Sequence, residues 1–354
     1  MVGVEEEFLL VDPDSGEARA MAGGVLQAAD AEDLTGELQR EQLETGTQPC
    51  RGLDDVGREL RRVRASARDA ARAVGVELAA LGTSPLPAQP TVSPGRRYQR
   101  MVEWAGANGT DQLTCGCHVH VGIASDEEGV AVIDRIRPWL ATLLAVSANS
   151  PFWQGDDSGY ASFRSQVWSR WPSTGPNELF GSAAGYHAVT SAMLGTDTIL
   201  DDGMLYFDAR LSAHQPTVEI RVADVCRDPD DPVRIAGLVR ALVETAVREW
   251  RSGQDPVPAR IEVLRLASWQ AAKSGLEGPL LLPPTLHPGQ PIDVLNALVK
   301  HVTPALEDTG DLGLVSELLT ALLGRGNGAA RQREVFRSSG GDLQAVVADA
   351  VAAT

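Results

Sequence analysis

Three consecutive carboxylates interrupt an apolar segment at the start of the chain. Residues 2–11 read VGVEEEFLLV, and this pattern predicts a β-strand because no helical period fits it. On such a strand, Glu5 and Glu7 point to one face and Glu6 points to the other. Two like charges near a core cost on the order of several kcal/mol unless a cation compensates them, and hard cations such as Mg²⁺ prefer clustered carboxylate oxygens. A solvated edge strand with its Glu side chains in water is the simpler alternative.

A second acidic segment follows at residues 36–47, where Glu37 and Glu44 stand seven positions apart. If this segment is helical, the two side chains share one face. If it forms two strand pieces, the spacing alone decides nothing about their contact. A charged segment that faces water is the simplest interpretation of this stretch taken alone.

Two histidines alternate on a second chemically rich strand, TCGCHVHVG at residues 114–122. His118 and His120 lie on one face of this strand, and Cys117 lies on the other. A zinc site that also uses Cys115 is disfavoured, because its ligands would point to opposite faces and lack the spacing of structural zinc sites. The histidines are therefore either neutral core residues or contacts to phosphate or substrate beside the carboxylates.

An acid and a base share one face of a third strand, TVEIRVAD at residues 217–224, which forms a hairpin with residues 204–210. Glu219 and Arg221 either pair with each other or act as a metal ligand followed by a guanidinium that binds phosphate.

The connection at residues 149–172 is rich in tryptophan and arginine. Arg164, Trp168 and Arg170 either stack, cation over ring, or clamp a substrate. Near the C-terminus, residues 326–333 form a turn into a basic helix start, where Arg331 is a candidate anion contact.

The remaining pattern is predominantly helical. It predicts a strand at 76–82 and helices at 56–74, 96–104, 127–147, 232–251, 257–273, 290–307, 311–324 and 341–353. No break in composition demands a second domain, so we expect one domain over residues 1–354 whose part from about 232 is mostly helical.

Composition narrows the class of protein. The formal charge of −17 argues against a nucleic-acid partner, since phosphate binding needs a basic surface. No apolar run is long enough for a membrane span and no signal-peptide pattern is present, so we expect a cytoplasmic protein that does not bind membranes. Four cysteines in 354 residues do not form a disulfide framework. No nucleophile elbow, Walker loop or dinucleotide-binding glycine motif is present.

Many carboxylates without a Ser or Cys nucleophile indicate ATP chemistry on several Mg²⁺ ions. The residues that suggest this resemble the type 2 glutamate–cysteine ligase family, whose members are also called carboxylate–amine ligases. The resemblance extends from residue 2 to about 333 and is strongest at residues 2–8, 46–47, 116–122, 166–172 and 217–226. It implies an α+β fold similar to glutamine synthetase and the guanidino kinases. In that fold a curved, mainly antiparallel sheet holds ATP and metals on its concave face, with helices behind.

The resemblance also implies roles for individual residues. The carboxylates that match the Mg²⁺ ligands of the family, for two or three ions, are Glu5, Glu7, Glu37, Glu44 and Glu219. His118 or His120 matches a histidine beside phosphate or substrate, and Arg221 matches a catalytic, ATP-binding guanidinium. The remaining expected contacts are to substrate, at Arg164, Trp168 and Arg170, and to ATP, at Arg331. Cys117 stands where the family usually has Met or a similar apolar residue.

The implied activity is ATP-dependent formation of γ-glutamylcysteine from glutamate and cysteine through an acyl phosphate, a reaction of thiol biosynthesis. Another acceptor amine or another carboxylate donor would use the same chemistry. A guanidino-kinase-like phosphotransferase, a non-catalytic family member and a zinc hydrolase are the rivals from other classes, and the sequence leaves a homo-oligomer open.

Overall fold

The computed structural model of the protein describes residues 1–29, 34–283 and 285–354. Its strands are β1 (Val2–Val11), β2 (Leu34–Gly36), β3 (Gln42–Gly46), β4 (Glu77–Ala79), β5 (Gly116–Gly122), β6 (Phe152–Trp153), β7 (Asp156–Asp157), β8 (Ala209–Leu211), β9 (Thr217–Asp224), β10 (Leu280–Leu282) and β11 (His287–Gly289).

Helices occupy most of the rest of the described chain. Up to residue 204 they are Ala22–Ala28, Leu53–Ala73, Arg96–Ala105, Ala107–Thr110, Asp126–Ile136, Leu140–Ser147, Phe163–Trp168 and Ala183–Leu194, with 3₁₀ turns at Arg137–Trp139 and Asp202–Met204. After β9 they are Asp230–Arg251, Ile261–Ser274, Pro291–Thr309, Leu312–Arg325, Gly328–Ser338 and Leu343–Ala353. No helix among the described residues is long and apolar enough to cross a membrane.

A seven-stranded sheet organises the molecule, and β1 lies at its centre. The strand order is β2-β3-β1-β5-β9-β8, and β4 pairs with the C-terminal end of β1. Every pairing in this sheet is antiparallel. The expected α+β fold with an antiparallel sheet and many helices is confirmed.

Two long helices cover the face of the sheet from which Glu6 projects. Helix Leu53–Ala73 is amphipathic, and the residues on its buried side include Leu60, Val63 and Ala67. Helix Asp230–Arg251 packs against β1 and β5 through a similar apolar side. Together they enclose the main core, and the opposite face of the sheet is left for polar side chains.

The middle carboxylate of β1 forms a buried ion pair behind the sheet. Glu6 accepts hydrogen bonds from Arg64 Nη2 at 2.7 Å and from Arg64 Nε at 2.8 Å. Arg64 Nη2 also donates to the carbonyl oxygen of Cys226 at 2.7 Å. Both side chains are almost fully buried, with exposed fractions of 2% for Arg64 and 0% for Glu6. The pairing satisfies a charge that could not otherwise remain in a core.

Several expected elements differ from the structure. The helix expected at 127–147 begins at Asp126, where Ser125 caps it, and it is interrupted by the 3₁₀ turn that contains Pro138. Proline lacks the N–H group that a continuous helix needs at this position. The strand expected at 204–210 is only Ala209–Leu211, and the strand expected at 76–82 is only Glu77–Ala79. Helices Ala22–Ala28 and Ala183–Leu194 were not expected.

The acidic segment at 36–47 contributes two strand pieces, β2 and β3, rather than a helix. The expected helices at 56–74, 96–104, 232–251, 257–273, 290–307, 311–324 and 341–353 are present with ends shifted by four residues or fewer.

Candidate active site

The predicted metal ligands gather on the uncovered face of the main sheet, which we call the acidic face. They border a cavity of about 410 Å³, which we call the acidic cavity. Its lining includes all seven acidic and histidine residues expected at the site: Glu5, Glu7, Glu37, Glu44, His118, His120 and Glu219. Strand alternation brings the side chains of β1, β3, β5 and β9 to this face, and Glu37 joins them from the turn that follows β2.

Strand register sets these side chains directly beside one another. Glu7 on β1 is opposite Glu44 on β3, and Glu5 is opposite His118 on β5. Residues paired in this way on antiparallel strands have Cβ atoms about 5 Å apart, so their side chains interact.

Glu5 lies between the two histidines. Its Oε2 atom is 3.6 Å from His118 Nδ1 and 3.3 Å from His120 Nε2. Burial alone would raise the pKa of Glu5, but its close contacts with both histidines hold it well below its usual value. Burial and the neighbouring Arg221 lower the pKa of His118. Burial would also lower the pKa of His120, but Glu5 outweighs this effect and raises it.

The other carboxylates crowd one another at the β3 side of the cavity. Burial and the charges of Glu44 and Glu7 raise the pKa of Glu37 well above its usual value. Burial and the charges of Glu5 and Glu7 raise the pKa of Glu44 to about 7. Two local donors support this cluster: the Gly116 backbone N–H donates to Glu7 at 2.6 Å, and the Thr35 hydroxyl donates to Glu44 at 2.9 Å. The protein alone leaves this group of oxygens with an excess of negative charge.

Glu219 is held by two guanidinium groups. Arg210, directly opposite it on β8, donates from Nε at 2.7 Å, and Arg221 donates to its other oxygen. Burial would raise the pKa of Glu219, but Arg221 and Arg210 hold it well below the usual value. Strand alternation places Arg221 on the same face as Glu219, and a bulge sets Arg221 and Val222 of β9 opposite the single residue His118.

The donor set fits a hard divalent cation. Three groups of ligand atoms lie within 4.8 Å of one another: Glu5 with Glu44 and His118, Glu5 with His120 and Glu219, and Glu7 with Glu37 and Glu44. Among the described residues, His118 Nε2 is buried without a hydrogen-bond partner, while its Nδ1 atom faces Glu5. Carboxylate oxygens in excess of local positive charge are the surroundings that Mg²⁺ prefers.

The zinc alternative finds no support in the described part of the chain. Cys117 packs in the core on the far side of the sheet, and Cys115 packs in a second apolar cluster. Burial raises the pKa of both thiols well above the usual value, so neither is a thiolate. No Cys belongs to any of the three candidate ligand groups among the described residues.

A second cavity of about 310 Å³ adjoins the first, and we call it the arginine cavity. The two cavities share Arg221, Trp168 and Tyr206 in their linings. The guanidinium carbons of Arg164 and Arg221 each lie 5.9 Å from the Trp168 ring centroid. Trp168 is therefore a wall between the cavities that two cations contact.

Arg164 is fixed from behind by the sheet. Its Nη1 atom lies 3.8 Å from Asp224, whose two oxygens accept hydrogen bonds from Ser150, Ser162 and the Asn149 backbone. The guanidinium also packs against Gly116, where an added Cβ would come within 2.2 Å of Arg164 Nη2. Only glycine at position 116 leaves room for this arrangement.

Two expected site residues lie elsewhere. Arg170 is exposed and lines neither cavity. Arg331 pairs with Asp349 at 2.5 Å on the C-terminal helix and also lines neither cavity, so the structure does not bring it to the other site residues. The roles expected for the remaining residues stay predictions.

Two charged lining residues beside strand β9 were among those missed at the level of sequence. Arg210 lines the acidic cavity and Asp208 lines the arginine cavity. They flank Ala209 in the segment FDARL, which repeats the acid-then-arginine spacing of Glu219 and Arg221. That repeated spacing on the partner strand is the signal that could have found them.

Solved structures share this fold over nearly the whole chain. A bifunctional glutathione synthetase from Pasteurella multocida matches with a TM-score of 0.70 and 17% identity over 99% of this chain and 52% of that protein, so the chain spans about half its length. A glutamate–cysteine ligase from Francisella tularensis, solved in complex with AMP, matches with a TM-score of 0.67 and 14% identity over 99% of this chain and 87% of that one. The molecule therefore has a fold found in these ligases.

Sequence comparison identifies the protein family to which this chain belongs. The family model of glutamate-cysteine ligase family 2 matches residues 1–349. A relative from Streptomyces avermitilis, provisionally named glutamate–cysteine ligase 2-1, is 54% identical over 344 residues, which cover 96% of this chain and 95% of the relative. A Streptomyces coelicolor relative, provisionally named glutamate–cysteine ligase 2, is 51% identical over 358 residues, covering 100% of this chain and 98% of the relative. The chain belongs to glutamate–cysteine ligase family 2, which confirms the expected family and the expected enzyme class, a ligase.

Proposed function

We propose that this protein is an ATP- and Mg²⁺-dependent carboxylate–amine ligase that joins the γ-carboxylate of L-glutamate to the amine of L-cysteine. The observation that supports this best is the acidic cavity. Carboxylates from separate strands converge there beside the guanidinium of Arg221, and the arginine cavity opens directly behind that guanidinium.

The acidic cavity has the ligands for two or three Mg²⁺ ions. The proposed ligands are the carboxylates on the acidic face together with one or both histidines: Glu5, Glu7, Glu37, Glu44, Glu219, His118 and His120. When bound, the ions would neutralise the phosphate oxygens of ATP and so make its terminal phosphorus open to attack.

The chain's own residues then orient the reacting groups. An oxygen of the glutamate γ-carboxylate attacks the terminal phosphorus of ATP, the bond to ADP breaks, and an acyl phosphate forms. Arg221, at the boundary of both cavities, stabilises the charge on the phosphoryl group in transfer. His118 lies beside it on the acidic face, and its lowered pKa keeps its ring neutral at neutral pH.

The second step forms the amide. The amine nitrogen attacks the acyl carbon, the carbon–oxygen bond to phosphate breaks, phosphate leaves with the bonding electrons, and the amine loses a proton. The enzyme must hold the amine close to the acyl phosphate so that it outcompetes water. The Trp168 ring, with the guanidinium carbons of Arg164 and Arg221 each 5.9 Å from its centroid, is a surface suited to this exclusion of solvent.

The test is ADP release with Mg²⁺ and glutamate, with and without cysteine, followed by mass spectrometry of the products. Cysteine-dependent ADP release that yields γ-glutamylcysteine is the expected result. Glutamate-dependent ADP release without that dipeptide would reassign the acceptor to another amine. A phosphorylated product and no amide would indicate a phosphotransferase, and no ADP release with any amino acid would contradict the glutamate donor.

The proposed function also includes the domain organisation, location and substrates of the protein. We propose that the 354 residues work as one domain in the cytoplasm on small-molecule substrates. The net charge of −17 supports the absence of a nucleic-acid partner.

A further inference from the structure

The arginine cavity contains one acidic side chain, Asp208, among the described residues that line it. Backbone hydrogen bonds fix its position: Asp208 N–H donates to the Gly175 carbonyl at 3.1 Å, and the Asp208 carbonyl accepts from Arg221 N–H at 2.9 Å. The side chain is half-buried and lines the cavity. Its carboxylate is thus presented to the cavity from a rigid strand end.

This carboxylate lacks a partner. No hydrogen bond or ion pair joins the Asp208 carboxylate to another side chain in the described part of the chain, in contrast to Glu219 and Asp224 on the neighbouring strand. Burial raises the pKa of Asp208 to about 7, and the charge of Arg164 only partly opposes this shift. A carboxylate kept in such surroundings costs stability unless something supplies the missing donor.

Two arginines that line the same cavity have hydrogen-bond donors without acceptors in the part of the chain that the structure describes. Arg164 has an exposed fraction of 2%, and its buried Nε has no hydrogen-bond partner among the described residues. The buried Nε of Arg221 is likewise unpartnered in that part of the chain. Arg265 is exposed and lies in the same lining. The cavity therefore offers several donors for carboxylates and one acceptor for a cation.

We infer that the arginine cavity binds an α-amino acid as its zwitterion, with Asp208 accepting hydrogen bonds from the α-ammonium group. This inference rests on the proposed function and identifies where the carboxylate donor binds. Arg164 and Arg265 take up the α-carboxylate, and the side-chain carboxylate extends past Trp168 to Arg221, which also lines the acidic cavity.

The assignment explains how the donor is selected. A dicarboxylate without an amino group would leave the Asp208 carboxylate unpaired and close to a second negative charge. A site built to pair a buried polar group rejects an analogue that lacks the partner, because that buried group then loses its hydrogen bonds. The adenine ring of a nucleotide has no ammonium group to offer Asp208, so it is a poorer occupant of this cavity.

The test is calorimetric titration of L-glutamate and of glutarate, which lacks the amino group, into the full chain without ATP or metal. We expect wild type to bind glutamate at least tenfold more tightly than glutarate. Asp208→Asn should weaken glutamate binding about tenfold or more. It should not weaken glutarate binding, because it removes the negative charge that opposes this ligand, so glutarate also reports that the cavity is intact. Asp255→Asn, the same change at an exposed position outside both cavities, should bind both compounds like wild type.

Three results would overturn the inference: no preference of wild type for glutamate, equal losses of both ligands in Asp208→Asn, or no binding of either compound. Parallel assays of ADP release and dipeptide formation separate its failure from that of the proposed function. Dipeptide formation by wild type with an unchanged KM for glutamate in Asp208→Asn would refute only the inference. Glutamate binding that depends on Asp208 without dipeptide formation would refute only the proposed acceptor.

Discussion

Glu7 and Glu44 stand directly opposite each other on adjacent antiparallel strands, so two carboxylates occupy a position where opposite charges or apolar groups usually pair. The pKa of Glu44 is raised to about 7 by burial and by the charges of Glu5 and Glu7. Because this folded-state pKa lies above the unfolded value, ionisation of Glu44 lowers stability as pH rises, and the full loss is reached above about pH 7.

Glu44→Gln should therefore stabilise the metal-free protein at pH 8, by about 1 kcal/mol, and have little effect near pH 5. Thermal unfolding measures this. Addition of Mg²⁺ should raise the Tm of wild type at pH 8 and raise that of Glu44→Gln by less. Glu103→Gln, at an exposed position, is the matched control. Equal responses of all three proteins to Mg²⁺ would refute the metal assignment of Glu44.

Glu219→Gln should abolish turnover, with a loss of about 100-fold or more, because it removes a proposed metal ligand and leaves Arg210 and Arg221 without their shared anion. The fold should remain, with an unfolding free energy lower by about 1–3 kcal/mol. ADP release and circular dichroism measure the two effects. Full activity in this variant would rule out Glu219 as a ligand.

Gly116→Ala should impair catalysis by displacing Arg164. An added Cβ at Gly116 would come within 2.2 Å of Arg164 Nη2, so the guanidinium must leave its place beside Asp224 and Trp168. Gly122→Ala on the same strand is the control, since its Cβ would meet atoms only at ordinary contact distances. We expect a higher KM for glutamate in the first variant and wild-type kinetics in the second. Identical kinetics in both variants would show that Arg164 need not occupy this position.

The affinity for glutamate should depend on pH through Asp208. Its pKa of about 7 is raised mainly by burial, and its ionised form pairs with the ligand ammonium, so affinity should rise from about pH 6 to about pH 8 and then level off. Arg221 and Tyr206 line the same cavity and do not titrate in this range. Burial would lower the pKa of Arg221, but Glu219 raises it, and burial raises the pKa of Tyr206 to about 12. Titrations of Asp208→Asn should show no such rise, and a rise that persists in this variant would place the titrating group elsewhere.

Glu6→Ala should destabilise the protein by about 3–5 kcal/mol, because it leaves the buried guanidinium of Arg64 without its anion. The double variant Glu6→Leu with Arg64→Met should recover most of this loss. Glu77→Ala breaks the more exposed pair with Arg72 and should cost less than about 1 kcal/mol. Urea denaturation measures all three. A cost for Glu6→Ala as small as that for Glu77→Ala would show that the buried charge is tolerated.

Strand alternation made much of the acidic face predictable. Period two alone separates Glu5 and Glu7 from Glu6, and it also places Glu219 with Arg221 and His118 with His120. Each of these predictions depends only on the positions of residues along a single strand.

Features that depend on tertiary contacts could not be predicted. The position of Glu37 depends on where the turn after β2 brings the chain. Arg331 looked like an anion contact because Asp349 is distant in sequence, and the pairing of two helices neutralises it. The sequence around Asp208 did not indicate a binding role for it. That its carboxylate is half-buried without a hydrogen-bond donor among the described residues is visible only in the folded structure.

Because β1 lies at the centre of the sheet, an error in its strand register would destabilise the whole fold. A slip of one residue against β3 or β5 would turn Glu5 and Glu7 into the core and move Glu6 away from Arg64. Such a chain would lose its ion pair and bury unpaired charges at once, so it could not persist as a folded but inactive enzyme. Glu5, Glu6 and Glu7 therefore select the correct register of β1 during folding. Nearly every molecule that folds should also have its acidic face correctly assembled.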